Sequence, residues 1–285
     1  MKEGGPIMKS LLAGLIVAFA LVGAPGAGAN GSPYSPGLVY GWSGVGAENS
    51  AVRFVAFGMP KSTIVAAVRA RDGRVLRSAV VKGFYGVPLV AYDGTAGGLS
   101  GDGRWLVLSS YGPQPGDAGK TSFVVLSTKT LKLRLHTVLP GSWSFDAVSP
   151  DGARLYLVEH ISAGPNPRYR VRILDVAGGG RLRGAIVDRL EDEEVMGGEP
   201  VTRASTSNGR WAYTLYAREK HEPFVHALDT VRREAFCIDL PLDLDRQKQW
   251  GLRLKLSEGA KMLDVRLGRS SVAEIDTASF KVRRT

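Results

Sequence analysis

The chain has 285 residues, 44% of them apolar and 22% charged, with a formal charge of +10. That balance supplies a sizeable core and excludes disordered, collagen-like and multi-span membrane chains. One cysteine, Cys237, excludes an internal disulfide.

Residues 1–29 read as a secretory signal peptide. Lys9 precedes the apolar run "LLAGLIVAFALVG" (11–23), and Ala27-Gly28-Ala29 supplies a small-residue exit. Thirteen apolar residues are too few to span a membrane comfortably. Met8 offers an alternative start, and no lipobox cysteine follows. Residues 30–36 read as a short linker. No later run reaches membrane length, so the mature chain is expected to be secreted or periplasmic, in the cell-envelope space, with no membrane span. Its charge is then +9, because Lys2, Lys9 and Glu3 are lost.

Two phrases repeat from there on. The first is "SGDGRWLVLSS" (100–110), "SPDGARLYLVE" (149–159), "TSNGRWAYTLY" (206–216) and, more loosely, "LSEGAKMLDVR" (256–266). Asp-Gly and Asn-Gly are hairpin signals, expected here as type I′ turns, and the apolar stretch after each reads as a strand. The second is "FVVLSTKTLKLRL" (123–135), "VRILDVAGGGRLRG" (171–184), "VHALDTVRREAF" (225–236) and "VAEIDTASFKVRR" (272–284). Each has an apolar strand, Ser or Asp at 127, 175, 229 or 276, a short turn, and another strand. Glycines 103, 152, 209 and 259 lie 49, 57 and 50 residues apart. Two hairpins in series make a four-stranded meander, and a repeat of this length is the mark of a β-propeller blade. A degraded earlier copy reads through "SAVRFVAF" (50–57) and "STIVAAVRARDG" (62–73). The expected fold is all-β, a propeller of about five four-stranded antiparallel blades in one domain, 37–285. Blades are expected near 37–84, 85–140, 141–198, 199–250 and 251–285. No mature segment carries a helical apolar stripe over a usual helix length.

"FDAVSPDGARLYLVE" with "VRILDVAGG", and "VAEIDTASFKV", resemble the secreted YVTN/TolB-like and WD40-like propeller repeats. The resemblance spans roughly 37–285 and is one of blade grammar, implying a fold and no particular activity. Propellers of this kind more often have six or seven blades.

No catalytic motif stands out. "HEPFVH" (221–226) has the wrong spacing for a helical zinc site. "GGGRLRG" (178–184) joins two strands and opens no helix, so it reads as a hairpin turn. Cys237, in the strand-like "EAFCIDL", reads as a buried small hydrophobe. The acidic stretch "DRLEDEEVMGGE" (188–199) reads as a solvated connector, with calcium as the competing reading. Basic residues in "VRAR", "KLRLH", "RYRVRI" and "KVRR" alternate along strands, which suits exposed outer faces better than nucleic-acid binding. Neither a cofactor nor a metal is expected. Trp42, Trp143 and Trp250 each stand at the entrance to a blade's first strand. They are the candidate ligand-binding residues, against a reading in which they fill wedges between blades. The favoured function is a secreted, non-enzymatic, monomeric binding module that offers one loop rim to an extracytoplasmic protein, peptide or glycan. The alternative is a propeller enzyme, a lactonase-like hydrolase or a glycan lyase/hydrolase, with catalytic residues or a divalent cation at the channel mouth.

Overall fold

The computed structural model describes residues 35–48, 50–164, 167–190 and 195–285. The signal-peptide reading, most of the linker and residues 191–194 of the acidic connector fall outside them. Antiparallel meanders follow one another in chain order, three of them four-stranded, with three strands in the sheet of blade 2 and a fifth short strand added to blade 3. Blade 1 holds Gly44–Val45, Val52–Met59, Ser62–Arg69 and Val75–Lys82. Blade 2 holds Trp105–Ser109, Lys120–Ser127 and Leu133–Pro140. Blade 3 holds Trp143–Val148, Arg154–Ser162, Arg168–Asp175 and Arg181–Ala185, and Met196–Gly197 pairs beside its third strand. Blade 4 holds Glu199–Ser205, Trp211–Ala217, Phe224–Asp229 and Glu234–Asp239; blade 5 holds Leu252–Leu256, Met262–Leu267, Ser270–Asp276 and Val282–Arg284.

Period-two patterning explains the stacking. In blade 2, Leu106, Leu108, Val124 and Leu126 pack with Phe54 and Val65 of blade 1. The intervening Val107, Phe123 and Val125 face Phe145, Leu155 and Leu157 of blade 3. A sheet buried on both faces needs apolar residues at successive positions, which is why these strands read as unbroken apolar runs. Tyr156 and Val171 meet Tyr216 and Leu228 between blades 3 and 4, and Tyr213 and Leu215 meet Leu252 and Val265 between blades 4 and 5. Each such buried side chain contributes roughly 1.5–3 kcal/mol. Blade 5 carries the ion pairs Arg266–Asp264 and Arg283–Glu274, at sheet positions that alternate with its apolar layer.

The repeated phrases are the two lower turns of each blade. In "SPDG", the Gly152 N–H donates to Ser149 O (2.8 Å), and Gly152 alone is left-handed, at φ +67°. Asp102, Asp151 and Asn208 are not at positive φ, so these are type I turns closed by a left-handed glycine rather than type I′ turns. The side chains explain why the phrase is conserved within the chain. Ser149 Oγ donates to Asp151 Oδ1 and accepts the Arg154 N–H, and Asp151 Oδ1 accepts the Ala153 N–H. Ser100–Asp102 and Thr206–Asn208 repeat all three bonds. The second phrase docks on the first: Thr128, Thr230 and Thr277 donate their hydroxyls to the carbonyls of Gly103, Gly209 and Ala260.

Two departures bear on the site. Blade 2's first strand is interrupted: Val87–Pro88 pairs with Leu38–Val39, and residues 89–98 form an excursion. Within it the N–H groups of Tyr92 and Asp93 donate to Pro200 O and Val201 O of blade 4, so the excursion ties blade 2 directly to blade 4's first strand. A short helix, Arg246–Trp250, also precedes blade 5, capped by Asp245 accepting the Lys248 N–H. Five residues are too few to show a helical period, though an Asp cap and a following glycine mark its ends.

Candidate functional site

The upper rim carries the loops between second and third strands and the links between blades. There, residues Ser109–Gly112 leave blade 2 and Ser142–Phe145 enter blade 3, and between them opens a cleft of about 400 Å³. Leu38, Pro88 and Leu89 close its inner side. Thr121, fully buried, holds the walls together: its hydroxyl donates to Gly141 O (2.9 Å) and accepts the Trp143 N–H (3.1 Å). A Cβ on Gly112 would stand 2.4 Å from that oxygen, so glycine is required for the approach. Thr63 performs the same service in blade 1, between Gly83 O and the Tyr85 N–H.

Among the described residues the lining holds five serines (Ser35, Ser109, Ser110, Ser142 and Ser144) and the rings of Tyr111, Trp143 and Phe145, with no Lys, Arg, His, Asp or Glu. In a chain of charge +10 that is a distinct surface. Aromatic side chains continue outward from it. Tyr111 (52% exposed) lies 6.4 Å from Tyr40, and Tyr40 lies 5.2 Å from Phe84 (42% exposed), ring centre to ring centre. Phe84 rests on Gly58, and the neighbouring Phe57 meets Trp42 edge-on at 5.2 Å. Burial raises the phenol pKa values of Tyr40 and Tyr111, so the surface stays neutral across physiological pH.

The three candidate tryptophans separate. Trp42 is 56% exposed at the outer end of the aromatic run. Trp143 is a cleft wall, 5% exposed, its Nε1–H held by Pro140 O at 2.8 Å. Trp250 lies apart: it packs on Tyr92 and donates to Glu199 Oε2, which also binds Arg246. Tyr111 and Phe84 are additions that sequence reasoning passed over. Their signal was an aromatic residue between glycines or beside proline, in "GFYG" and "SYGPQPG".

Behind the cleft, Ser144 Oγ and His160 Nε2 stand 2.9 Å apart. Burial pushes the His160 pKa down to about 4. Native His160 therefore refuses a proton that the unfolded chain accepts near pH 6.5. Stability is full above about pH 6.5 and falls toward pH 4, with roughly 3 kcal/mol carried by this residue. Urea denaturation at pH 7 and pH 4 should show the loss, and His160→Gln should flatten the pH dependence by that amount.

Asp188 accepts the Cys237 and Leu190 N–H groups, and Glu199 is nearly buried beside Arg246. The glycines at 178–180 form the turn between the third and fourth strands of blade 3. Among the described residues, no group of three His, Cys, Asp or Glu side chains could hold a metal ion, and no helix is long and apolar enough to cross a membrane.

Consecutive antiparallel meanders, stacked through apolar seams and turned on repeated lower hairpins, define an all-β propeller. No family model matches the chain, and no curated protein matches it. Solved structures do. Hydrazine synthase from Kuenenia stuttgartiensis is 14% identical, with 79% of this chain and 73% of that one covered at a TM-score of 0.42. TolB from Acinetobacter baumannii is 11% identical, with 82% and 56% covered at 0.36. Prolyl oligopeptidase B from Galerina marginata is 13% identical, with 84% and 33% covered at 0.48. The chain thus spans just over half of the TolB chain and a third of the peptidase. At these identities the likeness is one of fold.

Proposed function

We propose that this protein is an extracytoplasmic, non-enzymatic binding propeller whose ligand lies in the upper-rim cleft between blades 2 and 3. The ligand is an uncharged extended chain, a glycan strand or a segment of a partner protein. The observation that carries the reading is the cleft's lining: hydroxyls and ring faces without a Lys, Arg, His, Asp or Glu side chain among the described residues. Hydroxyls orient polar groups, rings cover C–H faces, and a cleft of this size is in the range of ligand sites. Acid–base catalysis near neutral pH needs a group that titrates there within reach of the substrate, and among the described lining residues the Tyr111 phenol is raised away from it by burial.

The hydrolase reading has one observation in its favour, the Ser144–His160 contact. A serine nucleophile needs a base of useful strength, kept so by a neighbouring carboxylate. His160 is shifted the other way, with burial as the cause.

Glycan and peptide arrays probed with the mature protein test both readings. Tyr111→Ala should weaken the selected ligand at least tenfold, and Trp42→Ala should weaken only ligands long enough to reach it. Binding unchanged in Tyr111→Ala would sink the cleft assignment. Labelling of Ser144 by a fluorophosphonate would favour the hydrolase.

A further inference from the structure

Asn208 is the one asparagine among the described residues, and a glycine follows it. Asparagine before glycine is open to a self-reaction of the main chain, because no Cβ on the glycine keeps its nitrogen from the neighbouring carboxamide. The Gly209 nitrogen attacks Asn208 Cγ, and the new N–C bond closes a succinimide ring. The Cγ–Nδ2 bond breaks, and Nδ2 leaves as ammonia with the proton from the Gly209 nitrogen. Water then opens the ring. Opening at Cγ gives aspartate; opening at the main-chain carbonyl gives isoaspartate, with one more carbon in the backbone.

The lower turn of blade 4 holds both reacting groups. The Gly209 N–H donates to Thr206 O at 2.8 Å, so the proton of the nucleophile is committed. Asn208 Oδ1 accepts the Thr206 hydroxyl at 2.8 Å and the Arg210 N–H at 3.0 Å. Hydrogen bonds to a carbonyl lie near its plane, whereas attack on Cγ comes from above that plane. The carboxamide must turn before it can react, and turning gives up both bonds. The loop is also clamped from outside. Thr230 Oγ1 donates to Gly209 O at 2.8 Å, and Gly101 of blade 2 lies against Asn208 O too closely for a Cβ.

Blades 2 and 3 show how each product would fit. Asp102 and Asp151 stand where blade 4 has Asn208. Each Oδ1 accepts a serine hydroxyl and the backbone N–H two residues on, the same pattern that Asn208 makes. Aspartate at 208 therefore suits the turn. Isoaspartate does not: its extra main-chain carbon breaks the Thr206–Gly209 bond and the seat against Gly101. Aspartate would also bring a charge to a lower-face hollow of about 960 Å³ that Asn208, Arg210 and Lys255 line. In blade 2, Arg104 binds Asp102 at 2.6 Å. Its counterpart Arg210 binds Asp229 at 2.8 Å and would be shared between two carboxylates.

We propose that Asn208 is a deamidation site governed by this turn: shut in the folded propeller, open when the turn is released, and returning to the fold as aspartate but not as isoaspartate. The reaction consumes only water, and the site is independent of the rim cleft.

The test incubates the mature protein in mildly alkaline buffer with and without urea. The tryptic peptide 204–210 is followed by mass and chromatography, which separate amide, aspartate and isoaspartate. Deamidation should run at least tenfold slower in the folded protein than in urea. Thr206→Val removes a donor to Asn208 and the acceptor of the Trp211 N–H, and should speed the reaction of the folded protein at least tenfold. Thr206→Ser, which keeps the hydroxyl as blades 2 and 3 do, should stay at the wild-type rate. After refolding, aspartate should pass into the folded pool and isoaspartate should stay behind. Equal rates for the wild type with and without urea overturn the proposal without recourse to any variant. So does a folded Thr206→Val as slow as wild type, or isoaspartate entering the folded pool as readily as aspartate.

Discussion

Replacing Asp146 by alanine should destabilise the protein by about 3–5 kcal/mol, the cost of stranding a buried charge. Asp146 lies on the first strand of blade 3 and Arg203 on the first strand of blade 4, and their side chains are 2% and 5% exposed. Arg203 Nη2 donates to Asp146 Oδ1, and Nη1 donates to the Asp146 carbonyl at 3.1 Å. Neither charge has water to fall back on. Against a total stability of roughly 5–15 kcal/mol, the variant should sit near the edge of folding. Removing both charges tests the cause. Asp146→Val with Arg203→Met leaves no stranded ion and should recover most of the loss, because well-packed apolar pairs replace buried ion pairs at little cost. Equilibrium urea denaturation of both singles and the double closes the cycle. A double variant as unstable as Asp146→Ala would mean that packing, rather than charge, sets the penalty.

The fold was readable because its grammar is local. "SPDG" and "IDT" are runs of four and three residues whose own side-chain hydrogen bonds stay within one blade, so their spacing carried the architecture. The turn type was misjudged because Asp-Gly suits both a type I′ turn and a type I turn with a left-handed glycine. The deciding bonds come from the serine two residues before the aspartate. The site was harder to read. Tyr111 and Ser144 are 33 residues apart and share a cleft only through the blade 2–blade 3 link, a long-range fact. Trp250 stood in the same sequence context as Trp42 and Trp143. The five-residue helix before it turns it toward Tyr92 and Glu199 instead. The row Arg203, Thr214, His226 and Cys237, each opposite the next across the strands of blade 4, depends on cross-strand register, which no single stretch of sequence displays.

Gly101→Ala should be among the most damaging single-methyl additions in the chain, although nothing in the local sequence marks it. The lower turns of three blades converge: the Asp102 N–H donates to Pro150 O of blade 3, and Gly101 lies against Asn208 of blade 4. A Cβ at 101 would stand 2.0 Å from Asn208 O and 2.5 Å from its carbonyl carbon. Both are backbone atoms of a turn held by its own hydrogen bonds, so neither can swing aside as a side-chain tip could. The turn of blade 2 or of blade 4 must shift, and overpacking of this kind costs about 1–3 kcal/mol or more. Gly103→Ala, two residues away, is the control. Nothing lies within 4 Å of its Cβ, and its cost comes from the left-handed backbone alone, φ +68°, about 1–2 kcal/mol. The two variants should also differ in kind. Gly103→Ala should lower the melting temperature without altering how blades 2 and 4 meet. Gly101→Ala should in addition speed hydrogen exchange at Asp102 and Gly209, because the contact between turns has opened. Equal melting temperatures and unchanged exchange at Gly209 would show that the lower turns of blades 2 and 4 do not bear on each other.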